Sequence, residues 1–349
     1  MNVLIVGAGL IGTSAGLALT KAGHHVALSD ANAAHIATAA ELGAGSAEAP
    51  GFVPEVVLVA TPPAAIAPVI RKLSQQYVNA TFTDVGSIKT QPQQDIEAFD
   101  DISSRYVGGH PMAGRETSGP SGARADLFVD RLWILTPTSD TDPTRIEMVR
   151  RLAEDCGAVV RIMPAEDHDR AVALTSHTPQ ILASIMAGLI AQAPATDIQI
   201  SGQGLRDLTR IAGSNPELWS EILAANAAEI EAVLAAFEER LSSVRNALRT
   251  GASLHEMLHV GNAGRNRIPA KHGGEPKVPD AVIGVAIDDR PGALAELFAT
   301  AADAQISIED VRIDHMLGRE LAIVELSVNP ASVETLRAAL LAGGWELRS

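Results

Sequence analysis

Three glycines near the start of the chain lie between a short apolar run and a helical stretch, and this order constrains the fold more than any other feature. The run Val3–Val6 is typical of a buried parallel strand, and Gly7-Ala8-Gly9-Leu10-Ile11-Gly12 follows it directly. In this order the first glycine permits a tight turn, the second lets the backbone approach a pyrophosphate, and the third lets the next helix pack closely. The sequence therefore predicts a dinucleotide-binding turn, with Leu10 and Ile11 among the cofactor-binding residues at the helix N-terminus.

An acidic residue follows the next predicted strand at a spacing that suits a cofactor ribose. The strand predicted at His25–Ser29 ends at Asp30, eighteen residues after Gly12. A carboxylate there accepts hydrogen bonds from the ribose hydroxyls of NAD and repels the 2′-phosphate of NADP, so NAD is the predicted cofactor. The alternative interpretation is that Asp30 only caps the helix that follows Asn32.

Two more strands are predicted at Val56–Ala60 and Thr81–Val85, and each ends in polar or small residues. Cofactor and substrate sites in open parallel sheets gather at the carboxyl ends of the strands. Thr61 and Ser87 are therefore candidate site residues by position. The alternative is that both are ordinary turn residues.

One histidine lies in a constrained loop after this cofactor-binding half, in Gly109-His110-Pro111-Met112-Ala113-Gly114. A nicotinamide enzyme that oxidises an alcohol needs a base of near-neutral pKa beside the hydroxyl proton, and an imidazole meets that need without large pKa tuning. His110 is thus the candidate general base. The alternative is a turn histidine whose nitrogens are satisfied by backbone groups.

Composition narrows the possible classes of protein. The chain has 349 residues, 46% of them hydrophobic, and a net charge of −15, so it can bury large cores and lacks the basic surface that nucleic acid requires. A single cysteine excludes internal disulfides and cysteine metal clusters and suits the reducing cytoplasm. No spacing of histidines and carboxylates suggests a metal site. We also expect neither a secretory signal nor a membrane span.

The patterning divides the chain into four segments. An α/β Rossmann-type dinucleotide-binding domain is predicted for residues 1–162, and an all-helical domain rich in Ala and Leu for residues 163–250. Residues 251–279 collect Gly, Pro, Lys, Arg and His, which predicts a flexible linker, with a phosphate-binding loop as the alternative. In residues 280–349 the predicted order is β-α-β-β-α-β, a ferredoxin-like α+β domain.

Several motifs occur together along the chain. They are Gly7-x-Gly9-x-x-Gly12, Asp84-Val85-Gly86-Ser87-Ile88-Lys89, His110-Pro111-Met112-Ala113-Gly114 with Glu116, Ser176-His177-x-Pro179, and Arg206-Asp207-Leu208-Thr209-Arg210-Ile211-Ala212 followed by Asn215-Pro216-x-x-Trp219. Over the whole length except the linker, the chain resembles the prephenate dehydrogenases of tyrosine biosynthesis. The turn Asp289-Arg290-Pro291-Gly292-Ala293-Leu294 separately resembles the ACT family, whose members commonly bind amino acids.

The resemblance implies NAD-dependent oxidative decarboxylation of prephenate to 4-hydroxyphenylpyruvate. It implies that His110 takes the proton of the substrate ring hydroxyl and that Ser87 holds the hydroxyl and imidazole in line. Arg210 would clamp a substrate carboxylate in its bidentate fork, with Arg206 one helical turn away. Without the resemblance, both arginines are equally well explained as a solvated helix face.

The remaining substrate residues implied by the resemblance are Glu116, His177 and the residue three positions after His177. Many family members have a second histidine at that third position, where this chain has Gln180. A neutral amide donates and accepts, so the substrate contacts or the sensitivity to tyrosine differ from those of a histidine enzyme. Arogenate, which has an amino acid side chain in place of the pyruvyl group, is therefore the alternative substrate.

Two other classes of protein share parts of this pattern. A 3-hydroxyacid or 6-phosphogluconate type dehydrogenase would present a catalytic lysine motif in its helical domain, and none occurs in residues 165–249. A non-enzymatic, ligand-sensing regulator would need neither His110 nor Arg210. We expect a homodimer with an aromatic amino acid effector at the ACT domain, for which an oligomer interface alone is the alternative role.

Overall fold

The computed structural model describes residues 1–99, 102–114, 119–269, 281–315 and 321–348. Its contacts divide the chain into two compact units, Met1–Gly251 and Ala252–Ser349. No helix within the described ranges is long and apolar enough to cross a membrane.

The first unit begins as alternating strands and helices. The strands among its described residues are β1 (Asn2–Val6), β2 (His25–Ser29), β3 (Ser46–Ala47), β4 (Val56–Val59), β5 (Thr81–Asp84), β6 (Tyr106–Pro111), β7 (Leu132–Thr136) and β8 (Val159–Ile162). The helices between them are α1 (Leu10–Lys21), α2 (Ala33–Glu41), α3 (Pro63–Gln76), α4 (Thr90–Glu97) and α5 (Pro143–Asp155).

These strands form one sheet in the order β3-β2-β1-β4-β5-β6-β7-β8. Neighbouring strands are parallel except β6 and β7, which pair antiparallel. The central strands β4 and β5 are buried throughout, because helices cover both faces of such a sheet. The carboxyl ends of β1, β2, β4, β5 and β6 therefore meet at one edge of the sheet, as the Rossmann-type prediction requires.

The rest of the first unit is helical, as predicted. Its helices are α6 (Ala165–Val172), α7 (Thr178–Ile190), α8 (Ala195–Ile198), α9 (Gln203–Thr209), α10 (Pro216–Ala225) and α11 (Ala227–Thr250). A π-helical turn, Ala173–His177, joins α6 to α7, and a 3-10 turn, Arg210–Gly213, follows α9. Helix α6 packs against α4, and α11 packs against α6 and α7, so these helices stand beside the carboxyl edge of the sheet.

The only cysteine, Cys156, ends α5 and is buried in the core of the first unit. Burial, reinforced by the charge of Asp155, raises the pKa of its thiol far above the ordinary value. The thiol is therefore protonated at neutral pH.

The second unit has the predicted β-α-β-β-α-β order. After α12 (His255–Arg265) come β9 (Ala281–Asp288), α13 (Ala293–Asp303), β10 (Ile308–His315), β11 (Leu321–Val328), α14 (Val333–Ala342) and β12 (Glu346–Arg348). The strands form an antiparallel sheet in the order β10-β11-β9-β12. Buried and half-buried residues alternate along β11, because α13 and α14 cover one face of this sheet.

The predicted flexible linker differs from the structure in one respect. Residues 251–279 include helix α12, which occupies His255–Arg265, so this part of the segment is not an irregular linker. Gly251 has a positive φ of 72° and ends α11. A glycine in this conformation commonly ends a helix, so it does not by itself indicate a flexible linker after it. The basic, glycine-rich residues 270–279 lie outside the described residues.

Candidate active site

The glycine-rich turn has the geometry that its sequence predicts. Gly7 has a positive φ of 104°, and a Cβ there would come within 2.3 Å of the Ala60 carbonyl oxygen. A Cβ on Gly12 would come within 1.9 Å of the Gly7 oxygen, whereas a Cβ on Gly9 would meet no atom within 4 Å. Two of the glycines thus pack the turn against β4 and α1, while the third faces open space beside the N-terminus of α1. Leu10 and Ile11 begin this helix, so their amides are among its first N–H groups.

Asp30 follows β2 and reaches back to this turn. Its Oδ2 accepts a hydrogen bond from the Ala8 amide at 2.6 Å, and its Oδ1 accepts one from the Asn32 amide at 2.7 Å. Asn32 itself caps α2, since its side chain accepts from the Ala34 amide at 3.0 Å. Asp30 is therefore not the helix cap. The carboxylate holds the glycine-rich turn and keeps further lone pairs that can accept hydrogen bonds.

Thr61 and Ser87 both lie at the carboxyl edge of the sheet, after β4 and β5. The Thr61 hydroxyl is buried and has no hydrogen-bond partner among the described residues. A buried, unpartnered hydroxyl beside an open turn suits a bound cofactor, because buried polar groups are normally paired. Ser87 is half-buried in the loop between β5 and α4.

A buried ion pair lies beneath this loop. Lys89 and Asp84 are fully buried, and the Lys89 ammonium contacts Asp84 Oδ1 and donates to the Gly109 carbonyl oxygen at 2.7 Å. Tyr106 donates its hydroxyl hydrogen to Asp84 Oδ2 at 2.7 Å. Burial lowers the pKa of Lys89 and the Asp84 charge opposes that shift, whereas burial raises the pKa of Tyr106. The pair joins the end of β5 to the residue that precedes His110.

His110 is the half-buried histidine near the end of β6, and it is joined to a second histidine. Its Nδ1 lies 2.8 Å from Nε2 of His168, and the two rings meet edge to face with centroids 5.0 Å apart. His168 Nδ1 in turn lies 2.8 Å from Asp169 Oδ1. Both partners are buried residues of α6. The arrangement is a carboxylate–imidazole–imidazole series that ends at His110.

His177 belongs to the same hydrogen-bonded network. The buried Asn226 side chain bonds through Nδ2 to His177 Nδ1 at 3.0 Å and to the Asp169 carbonyl oxygen at 2.9 Å. The ring of His177 also meets Trp219 edge to face, with centroids 6.0 Å apart. The π-helical turn ends at His177, so a local irregularity in the helix carries this side chain.

Burial governs the charge of both histidines. It lowers the pKa of His110 well below the ordinary value, and His168, Lys89 and His177 add to the shift. Burial also lowers the pKa of His177 to about 4, although the charge of Asp169 opposes it. Burial alone would raise the pKa of Asp169, but hydrogen bonds from His168, Thr90 and the Lys89 amide outweigh it and lower that pKa. At neutral pH the site therefore holds two neutral imidazoles and a buried carboxylate.

The other candidate substrate residues are distributed around this network. Gln180 is buried in the first turn of α7, and the turn Arg210–Gly213 packs against that helix. Arg206 on α9 and Arg210 are exposed. Glu116 lies outside the described residues.

Sequence reasoning did not identify His168, Asp169 or Asn226 as functional. Helix α6 reads Ala-Glu-Asp-His-Asp-Arg-Ala-Val, which resembles a solvated helix face, and Asn226 lies between two helices as an ordinary boundary residue. One signal in the sequence could have found two of them. His168 and Asp169 lie at helical spacing from the apolar Ala165 and Val172, so an amphipathic helix places these two polar side chains on its core-facing side.

The geometry combines a glycine-rich turn with a half-buried, neutral histidine at one edge of a sheet, which suits hydride transfer coupled to proton removal. The prephenate dehydrogenase nucleotide-binding domain model matches residues 15–162, and the prephenate dehydrogenase dimerization domain model matches residues 164–260. The chain belongs to the prephenate dehydrogenase family.

Relatives of this family match along most of the chain. The probable prephenate dehydrogenase of Streptomyces niveus is 33% identical over 100% of this chain and 99% of its own length. The Bacillus subtilis prephenate dehydrogenase is 31% identical over 89% of this chain and 88% of its own length. The crystal structure of the Aquifex aeolicus prephenate dehydrogenase with hydroxyphenyl propionate and NAD⁺ is 32% identical, covers 76% of this chain and 97% of that chain, and has a TM-score of 0.69.

Proposed function

We propose that this chain uses the site at the carboxyl ends of β1, β2, β4, β5 and β6 to oxidise and decarboxylate prephenate. Prephenate carries a ring hydroxyl opposite a ring carboxylate, and loss of carbon dioxide leaves its bonding electron pair in the ring, which becomes aromatic. NAD, when bound at the glycine-rich turn, supplies the hydride acceptor. The observation that carries the proposal is the neutral, half-buried His110, which is joined to His168 and lies at the same edge of the sheet as that turn.

His110 acts as the general base. Its Nδ1 is occupied by His168, so Nε2 is the nitrogen that takes the proton of the ring hydroxyl. The same nitrogen returns the proton to the oxygen of the phenol product, so no net proton is lost at the ring oxygen. Ser87 aligns the hydroxyl with the imidazole.

The direct test is to measure prephenate-dependent NADH formation together with release of carbon dioxide, with arogenate as the comparison substrate. We expect activity with prephenate and a product identified as 4-hydroxyphenylpyruvate. NADH formation with neither compound would contradict the proposed function.

Asp30 sets the preference for NAD. Its carboxylate holds the Ala8 amide and accepts from a ribose, so Asp30→Ala should raise the dissociation constant of NAD by roughly tenfold, the scale of a hydrogen bond to a charged group. The same change should narrow the ratio of kcat/KM for NAD over NADP, since a phosphate is no longer repelled. Equal use of NADP and NAD by the unchanged protein would contradict this role.

Arg210 binds a substrate carboxylate, and Arg206, Glu116, His177 and Gln180 complete the substrate site. We expect Arg210→Gln to raise the KM for prephenate roughly tenfold or more, because a charge-assisted, bidentate contact is lost, while NAD affinity stays unchanged. Arg249→Gln removes an exposed arginine at the far end of α11 and serves as the control. An equal loss of NAD binding would indicate a structural ion pair at Arg210.

The second unit is an ACT domain that binds an aromatic amino acid. The Asp289-Arg290-Pro291-Gly292 turn joins β9 to α13, and the first amides of α13 are suited to receive a carboxylate. Gly292 has a positive φ of 94°, so Gly292→Val should strain this turn and weaken binding of tyrosine or phenylalanine in a calorimetric titration of the full protein. Gly344→Ala, at another positive φ of 81° in the same unit, is the matched control. No heat from the unchanged protein would contradict the effector role.

We further propose a cytoplasmic homodimer. The family's dimerization domain matches residues 164–260, which include helices α6–α11, and these helices expose large apolar side chains, among them Ile185 and Leu189 on α7. The free, buried Cys156 thiol suits a reducing compartment. Sedimentation measurements give the oligomeric state.

A further inference from the structure

Asp169 is the residue at which the hydrogen bonds of the site converge. Its Oδ1 accepts from the Lys89 amide at 2.9 Å and lies 2.8 Å from His168 Nδ1, and its Oδ2 accepts from the Thr90 amide at 2.8 Å. Its carbonyl oxygen accepts from Asn226 at 2.9 Å. One residue of α6 therefore contacts the loop after Ser87 and both histidine arms of the network.

The first arm determines which nitrogen of His110 carries a hydrogen. An ionised carboxylate can only accept, so His168 Nδ1 must hold a hydrogen and donate it to Asp169. With one hydrogen on His168, its Nε2 is then an acceptor, and the hydrogen in the contact with His110 comes from His110 Nδ1. This leaves the lone pair of His110 on Nε2.

The second arm determines the tautomer of His177. The Asp169 carbonyl oxygen is an acceptor, so the Asn226 atom that faces it must be the amide nitrogen, Nδ2. That nitrogen donates its second hydrogen to His177 Nδ1, which must therefore be the unprotonated nitrogen. The hydrogen of neutral His177 then resides on Nε2. The first arm therefore leaves His110 Nε2 as an acceptor, and the second arm leaves His177 Nε2–H as a donor.

We propose that Asp169 is a positioning residue that holds His110 with a free Nε2 lone pair and His177 with an Nε2–H donor. The role of His110 as base rests on the proposed function, whereas the tautomers are properties of the protein itself. When His110 takes a proton on Nε2, the hydrogen on its Nδ1 can shift to His168, and the resulting positive charge lies against the Asp169 carboxylate. The proton gained by His110 equals the one lost by the substrate hydroxyl.

Other charged and titratable groups also act on His110 or on its neighbours. His168, Lys89 and His177 influence His110 directly. Asp169 contacts His168, and Asp84 contacts both Lys89 and Tyr106. Lys89 disfavours a positive imidazole, and Asp84 offsets that charge at close range. Asp169 is the carboxylate that is joined to His110 through the hydrogen-bonded ring of His168. Its removal should therefore change the tautomer of His110, which a change in the surrounding charge alone would not do.

The test is Asp169→Asn, which keeps the shape of the side chain. Asparagine keeps only one oxygen, so its NH2 group must face either the Lys89 amide and His168 Nδ1 or the Thr90 amide, all of which donate to Asp169. The neutral side chain therefore no longer fixes the hydrogen of His168 on Nδ1. In ¹⁵N spectra of histidine-labelled protein, we expect the single Nδ1–H form of His110 to give way to a mixture that includes the Nε2–H form. We expect kcat to fall on the order of 10²-fold with NAD affinity retained, and the acid limb of kcat/KM to move to lower pH because the base is weaker.

Asp155→Asn is the matched control, since Asp155 is the last residue of α5 and lies 2.8 Å from His24 in a second His–Asp contact of the described residues, outside the hydrogen-bonded network of Asp169. We expect it to leave the His110 signals and the pH profile unchanged. If Asp169→Asn fails to fold, His168→Gln and His168→Leu replace it. The glutamine oxygen can accept from His110 Nδ1 and should retain more activity than leucine, whereas equal activities would overturn the proposal.

Unchanged His110 tautomer signals and an unchanged pH profile in folded Asp169→Asn would also overturn the proposal. Failure of the proposed function gives a different result, because the wild-type protein would then lack prephenate-dependent NADH formation while the tautomer signals still respond to Asp169→Asn. The two failures are therefore distinguishable.

Discussion

Replacing His110 with asparagine should lower kcat for prephenate by about 10²-fold or more, the usual scale for a lost acid–base group. Asparagine can keep a polar contact to His168 but cannot take the hydroxyl proton. The dissociation constant of NAD should stay unchanged, because the cofactor-binding turn follows β1 and does not depend on this side chain. Steady-state kinetics at saturating prephenate and a separate NAD titration measure the two quantities.

The pH dependence gives a second measure of the same role. Burial holds the pKa of His110 well below its ordinary value, so the imidazole is neutral and competent at neutral pH. Activity should therefore be retained as pH falls through 6.5, the ordinary histidine value, and be lost only at lower pH. His25→Asn, at an exposed histidine of β2, is the control. Near-normal turnover of His110→Asn would leave His110 with a structural role only.

The second large effect concerns stability. Lys89→Met removes the cation from a fully buried pair and leaves the Asp84 carboxylate buried without its ion partner. Breaking a buried pair in this way costs about 3–5 kcal/mol of the free energy of unfolding. Urea denaturation of the two proteins measures the difference.

A double variant separates the charge effect from the loss of packing. Lys89→Met with Asp84→Asn has no uncompensated charge, and it should be more stable than Lys89→Met alone. Arg150→Met, which removes an exposed arginine paired with Glu147 and Glu154, should change stability little. A loss in Lys89→Met no larger than that of the Arg150 variant would contradict a structural role for the buried pair.

Local rules were sufficient to predict most of the fold. Strand β2 occupies the predicted residues His25–Ser29, because an apolar run bounded by turn residues leaves little choice of where a strand begins and ends. The glycine-rich turn was equally predictable, since Gly7 and Gly12 approach neighbouring backbone where no Cβ fits. Helix α12 was not predicted, because the glycines and basic residues of residues 251–279 suggest irregular structure.

The site was only partly predictable, for a different reason. His110 was identified because a histidine after a dinucleotide-binding half has a chemical purpose that one sequence can suggest. The predicted loop was wrong, since His110 lies in strand β6 and pairs with Ile134 of β7. His168, Asp169 and Asn226 act through contacts with residues about 50 to 80 positions away, for example the 80 positions between Lys89 and Asp169. No local pattern distinguishes a histidine that faces such a partner from one that faces water. Tertiary contacts determine the tautomers, and these contacts exist only in the folded chain.

The buried thiol of Cys156 makes this protein convenient for site-specific labelling. A thiol that stays protonated and inaccessible reacts poorly with maleimides, because the thiolate is the nucleophile. A cysteine introduced at an exposed position of the second unit would then be the single reactive thiol, with no need to remove the native one. A fluorophore attached there could report on added tyrosine in real time without a change to the native core.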